Sequence, residues 1–241
     1  MTATYDVAIV GGGILGLAHA WTAVKAGLKV ALFERYARAT GASIRNFGFI
    51  TVTGQQRGDF HGLAMRTRDL WLEAAEVAGI AIVQRGLYVS ARYPESEAVL
   101  RAFLATEMGE GCQLQTVDDA PFLADGQRVV LHSPHDIRVE SRTAIPQLSQ
   151  WLSTRADLHY GVSVSGIETG RLHTSMGDIR AERIIVCPGD DLTGLFADRI
   201  RAHNVSRSQL QMMRLASPGF RLPGAVMSDL SLVRYLGYAG L

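Results

Sequence analysis

Three glycines, Gly11, Gly13 and Gly16, stand in the spacing G-x-G-x-x-G, and an acid, Glu34, lies 18 residues beyond Gly16. The combination suits the holding of a diphosphate and a sugar. A first glycine turns the chain sharply out of a strand, a second lets a pyrophosphate approach the backbone with no Cβ in its way, and a third lets the next helix pack closely on a sheet. Amides at the helix start, from Ile14 onward, then face the phosphates, aided by the positive end of the helix dipole. A carboxylate at the end of the next strand accepts both hydroxyls of an adenosine ribose. Its charge repels a 2'-phosphate and disfavours NADP, although the adjacent Arg35 works in the opposite direction.

The elements that must position these residues are legible around them. Residues 5–10 (YDVAIV) are short, β-branched and almost continuously apolar, as in a parallel strand buried on both faces. From Ile14 the pattern turns helical, with Leu15, Ala18, Trp21, Thr22 and Ala23 forming a broad apolar face as far as Gly27. Residues 28–33 (LKVALF) read as a second buried strand that ends at Glu34. A strand, glycine turn, helix and strand with a right-handed crossover is therefore predicted, the first part of a Rossmann-like α/β fold. The motif alone does not choose between FAD and NAD.

The segment after the second strand makes that choice. Residues 39–49 (ATGASIRNFGF) form a glycine-punctuated loop carrying Ser43, Arg45 and Asn46 as hydrogen-bonding groups. Together YDVAIVGGGILGL, FER and GASIRNFGFI resemble the start of the FAD-dependent oxidoreductases grouped with glycine oxidase, sarcosine oxidase and D-amino-acid dehydrogenase, the DAO family. The order S-I-R-N-F-G is most similar to a branch associated with aminophosphonate breakdown. The resemblance implies that Ser43 contacts the pyrophosphate of FAD, that Arg45 and Asn46 lie near the isoalloxazine, and that Gly48 permits close approach. Glu34, with Arg35 beside it, would then meet the ribose.

A second match lies far along the chain. Residues 162–167, 172–175 and 184–187, with turns at Thr169-Gly170 and Met176-Gly177, read as an antiparallel meander whose last strand meets Pro188-Gly189-Asp190. In the family a meander of this kind covers the dinucleotide domain. The resemblance implies that Val164 meets adenine and that Cys187 and Gly189 return to the cofactor. Asp190 and Asp191 read as helix caps.

The implied reaction is oxidation of a C–N bond in a small amine or amino acid, an aminophosphonate being the finer reading, with hydride passing from the α-carbon to flavin N5. The imine then hydrolyses in water, and oxygen or a quinone accepts the electrons. Such chemistry asks the protein mainly for orientation and charge stabilisation. Arg45 is the catalytic candidate, since a preorganised cation beside the ring in a dry site can contribute about 3 kcal/mol. An NAD-dependent dehydrogenase, a flavin hydroxylase and an inactive dinucleotide-binding fragment are the competing readings.

The remaining sequence sets the frame. At roughly 150 residues per domain, 241 residues make about one and a half domains. The reading is an FAD-binding domain from residues 1–85 and 143–203, interleaved with a partial α+β substrate domain from 86–142 and 204–241. Helices are expected at 59–78, packing on the first domain, and at 95–108 and 141–153, with strands at 87–91, 129–132 and within 206–241. The chain stops at Leu241, whereas members of the family continue, which suggests a truncated frame or a fragment.

Hydrophobic residues make up 47% and charged residues 20%, with mean hydropathy +0.10, as in a globular protein. Lys plus Arg is 24 against Asp plus Glu 23, and this balance gives no electrostatic reason to expect nucleic acid. Residues 7–24 lack formal charge, but three successive glycines and His19 interrupt the run, so neither a membrane span nor an export signal is expected. Cys112 and Cys187 form no C-x-x-C pair, and a reducing cytoplasm is the default location. His61, His132 and His135 lack the partners of a metal site, so no metal is expected.

Overall fold

A computed structural model describes residues 4–123 and 125–241. In chain order its regular elements are β1 (Thr4–Val10), α1 (Ile14–Lys25), β2 (Val30–Glu34), β3 (Phe49–Ile50), α2 (Asp59–Ala78), β4 (Ile82–Ala91), α3 (Pro94–Leu104) and β5 (Gln113–Gln115). The second half of the chain adds β6 (Val129–Val139), α4 (Ser141–Ser153), β7 (Asp157–Tyr160), β8 (Val164–Glu168), β9 (Arg171–Thr174), β10 (Gly177–Val186), α5 (Ala197–Arg201) and β11 (Ala225–Met227). Two compact units result. Met1–Asn46, Val77–Ile80 and Ser141–Met213 form the first; Phe47–Glu76, Ala81–Glu140 and Arg214–Leu241 form the second.

The first unit is built on a six-stranded sheet in the order β7-β2-β1-β10-β9-β8. The strands β7, β2, β1 and β10 run parallel, and β10, β9 and β8 form the antiparallel meander. Strand β10 serves both parts, pairing with β9 at residues 177–180 and with β1 at 180–186. Central β1 earns its place by composition: Ala8 and Ile9 are wholly buried, as expected for a strand covered on both faces. Helix α1 buries Gly16, Leu17, Ala20, Trp21 and Ala23. Its Trp21 ring lies 4.6 Å from that of Trp151 on α4. A core of Tyr5, Ala8, Ala31, Phe33, Leu172, Ile179 and Ala181 binds the meander to the parallel strands. Strand β2 begins two residues later than expected, because the Leu28 amide still donates to Ala23 O across the helix end, where Gly27 takes φ +76°.

In the second unit β6 is the hub. Antiparallel β4 lies along one side of it, β3 and β5 pair with its other edge, and β11 adds in parallel to β4. Leu87, Val89, Leu100, Phe103, Leu131 and Tyr238 are central to the buried cluster beneath. The division of the chain differs from the expected boundary at residue 86: residues 47–76 group with the second unit, since β3 hydrogen-bonds to β6.

Two local expectations need correction. Helix α3 stops at Leu104, and a separate 3-10 turn, Glu107–Gly109, comes after it, because the Gly109 backbone packs so closely on Phe103 and Leu104 that a Cβ would come within 2.5 Å of a carbonyl oxygen. Strands expected across 206–241 reduce to three-residue β11 and two 3-10 turns, Asp229–Ser231 and Leu236–Tyr238. Leu210, Met213 and Leu215 are exposed, and an apolar stretch with no neighbouring ladder for its amides does not become a strand. Among the described residues no helix is long and apolar enough to cross a membrane.

Candidate functional site

The carboxyl ends of β1, β2 and β10 meet at one point of the first unit. The chain leaves β1 for β2 on one side and later returns as β10 on the other, the kind of switch where α/β sheets open a ligand crevice. The Gly11 amide donates to Phe33 O at 2.8 Å and the Cys187 amide donates to Val10 O at 2.8 Å, so all three strand ends are tied together. Gly11 has φ +107°, and a Cβ there would lie 2.2 Å from Cys187 O. At Gly16 a Cβ would come within 1.8 Å of Gly11 O. Turn, helix and β10 therefore close on one another at distances that exclude any side chain.

A crevice of about 250 Å³ opens beside this turn. Of the residues singled out from sequence, Gly11, Gly13, Glu34, Arg35, Ser43, Val164, Cys187 and Gly189 line it. The Glu34 carboxylate accepts the Gly12 amide on one oxygen at 2.8 Å and the Tyr36 amide on the other at 3.0 Å, which fixes it at the strand end. Ser43, from the 3-10 turn Ala42–Ile44, accepts the Ile14 amide on its hydroxyl at 2.9 Å, and a Cβ on Gly13 would lie 2.8 Å from that oxygen. A hydroxyl thus sits at the start of α1, where first-turn amides have no partner within the helix. The cradle fits a dinucleotide: a backbone bare of Cβ atoms, a helix start and a carboxylate converge on one opening.

Other expected residues are placed elsewhere. Gly16 lies behind the turn, at its contact with Gly11. Arg45 and Asn46 are absent from the crevice lining; the Arg45 amide closes the 3-10 turn onto Ala42 O, and Asn46 Nδ2 donates to the carbonyls of Ala42 and Ser43. Gly48 belongs to the second unit, with φ +73° and its carbonyl accepting the Val139 amide at 3.0 Å. Cys187 is no nucleophile by geometry. His19 Nδ1 lies 3.9 Å from its sulfur but 2.7 Å from Leu15 O, so that nitrogen carries the proton donated to the carbonyl, and burial pushes the thiol pKa up.

Asp191 has a role the helix-cap reading missed. Its Oδ1 accepts the amides of Thr193 and Gly194 and the Thr193 hydroxyl, while Oδ2 takes Arg35 Nη1 at 2.7 Å. Helix α5 starts only at Ala197, so Asp191 caps a tight turn and not a helix. The order D-L-T-G is a signature for such a turn, but nothing local announces a partner 156 residues away. The Thr193 hydrogen bonds and then Arg35 hold the Asp191 carboxyl down at about 2. Because this folded value lies below the ordinary carboxylate value of about 3.9, the group's stabilisation is present above pH ~3.9 and lost as pH falls through about 2. An acid unfolding series of wild type and Asp191→Asn is therefore expected to show a stability gap at neutral pH that closes toward pH ~2.

Site and sheet together define a dinucleotide-binding α/β protein. The FAD dependent oxidoreductase (DAO) family matches residues 6–236, and the chain belongs to that family. Among solved structures it is similar to glycine oxidase from Geobacillus kaustophilus, with 28% identity and TM-score 0.66, covering 77% of this chain and 55% of that one. In fold it is also similar to L-amino acid deaminase from Proteus myxofaciens (19% identity, TM-score 0.69, 80% and 47% covered). L-proline dehydrogenase from P. horikoshii gives 19% identity and TM-score 0.69, with 84% and 56% covered. The chain spans about half the length of these structures. No curated protein matches it. FAD is the cofactor that the family's description names.

Proposed function

We propose that the crevice at the ends of β1, β2 and β10 holds the adenosine diphosphate part of FAD, and that the protein oxidises a C–N bond of a small amine or amino acid. The observation that carries this reading is the convergence of the glycine turn, the fixed Glu34 carboxylate and the Ser43 hydroxyl on one opening. Unit one is then the FAD-binding domain and unit two part of the substrate domain. Similarity to glycine oxidase supports the amine class, and the S-I-R-N-F-G order of residues 43–48 supports an aminophosphonate as substrate.

In this reading Glu34 orients the ribose by accepting its hydroxyls, Ser43 and the first amides of α1 stabilise the diphosphate, and Val164, lining the crevice from β8, borders the adenine. Arg45 and Asn46 follow Ser43 directly in the chain after Ile44, and Arg45 would stabilise negative charge on the flavin ring. FAD when bound supplies the acceptor for the hydride that leaves the substrate's α-carbon. Oxygen or a quinone then takes the electrons.

Fluorescence titration of the purified chain with FAD tests the reading. Saturable binding is expected, weakened about 10- to 100-fold by Glu34→Ala, as for loss of a charged hydrogen-bonding partner. Absence of FAD binding by the folded wild-type chain sinks the proposal.

A further inference from the structure

The crevice contains one cationic side chain among its described lining residues, Arg35, against three carboxylates, Glu34, Asp190 and Asp191. That cation is committed. Its Nη1 lies 2.7 Å from Asp191 Oδ2, and the guanidinium rests 5.0 Å from the centre of the Tyr36 ring. Asp191 is itself held in register by the Thr193 and Gly194 amides on its other oxygen. Gly194 leaves the room for this: a Cβ there would stand 2.6 Å from Asp191 Oδ2. The acid is thus prepositioned by its own turn before it meets the arginine.

A guanidinium next to a ribose-binding carboxylate is otherwise well made to take a phosphate, since its planar fork matches phosphate oxygens and it never loses its charge. Arg35 comes directly after Glu34 and shares the crevice wall with it, so a free guanidinium would offset the repulsion Glu34 exerts on a sugar phosphate. The ion pair removes that offset. We propose that Asp191 is a specificity-determining residue: by occupying Arg35 it leaves the sugar end of the crevice net negative and excludes adenine nucleotides that carry a 2'-phosphate. This rests on the reading of the crevice as an adenosine diphosphate site. Asp191 acts on the ligand through Arg35 and so positions rather than catalyses.

The test uses the 241-residue chain with two probes, ADP and its 2'-phosphorylated form, and reads the ratio of their dissociation constants by calorimetry. The wild type is expected to favour ADP by a factor on the order of 100. Asp191→Asn keeps an oxygen for the Thr193 and Gly194 amides but turns an amide donor or an uncharged oxygen toward Arg35, which frees the guanidinium. The preference is expected to fall about tenfold, through a gain for the 2'-phosphate probe, and to return when Arg35→Ala is added. Arg35→Ala alone is expected to leave the ratio as in wild type, because the arginine is already engaged; this arm stands even if Asp191→Asn misfolds.

An unchanged ratio in a folded Asp191→Asn that binds ADP overturns the proposal while the nucleotide site survives. A selective tenfold loss of the 2'-phosphate probe in Arg35→Ala overturns it too, by showing Arg35 available for phosphate in the wild type. Failure of the wild type to bind either probe removes the nucleotide reading, and the specificity inference with it.

Discussion

Replacing Gly16 by alanine is expected to destabilise the first unit by about 3 kcal/mol or more and to abolish nucleotide retention. In an ordinary helix the same change stabilises by up to about 1 kcal/mol, because alanine is the better helix former. Here the new methyl would stand 1.8 Å from the carbonyl oxygen of Gly11 and 3.4 Å from Ile9 Cγ2. The first of these is a backbone atom that cannot rotate away, so α1 must move off the sheet or the turn must open. Either movement disperses the amides and the carboxylate that define the crevice. Gly62, inside α2 with nothing within 4 Å of its would-be Cβ, is the control, and Gly62→Ala is expected to be neutral or mildly stabilising. Denaturant unfolding of the two variants reads the contrast directly. Equal effects would mean that contact at the turn contributes nothing.

Removing the Asp136 carboxylate is expected to cost the second unit about 3–5 kcal/mol, the range for taking one partner from a buried charged network. Only 4% of Asp136 is exposed. Its Oδ1 accepts the Val52 amide at 2.9 Å and the Thr53 amide at 3.2 Å, and its Oδ2 meets the Ser133 hydroxyl at 3.1 Å and the Thr53 hydroxyl. Asp136→Ala strands these donors in a site closed to water, and each buried unpaired group carries its own desolvation penalty. The network joins the segment after β3 to β6, so its loss loosens the edge of the second sheet. The same carboxylate helps, after burial itself, to push the Tyr238 pKa up. Asp136→Asn keeps one acceptor and is expected to fall between. A loss below about 1 kcal/mol for Asp136→Ala in equilibrium unfolding would show that water replaces the carboxylate.

Much of the first unit was readable in the chain because its signals are local. The strand, glycine turn and helix of residues 4–25 arise from apolar runs, a change of period and absent side chains, each acting over a few positions. The meander was readable for the same reason: turn glycines at Gly170 and Gly177 take φ +75° and +111°, as the tight reversals require. Short strands escaped. β3, β5 and β7 are two, three and four residues long, too brief for any periodicity, and exist because a neighbouring strand offers a ladder. The α/β class, the tight glycine turn and the acid at the end of the next strand were thus present in the amino-acid order, since propensity and sterics work between near neighbours. That Cys187 O fills the space beside Gly11, that Asp191 claims Arg35, and that Asp136 gathers Val52 and Thr53 belong to the folded chain. Such contacts join residues tens to more than a hundred positions apart, and their geometry comes from packing whole sheets and helices, which no short stretch of residues encodes.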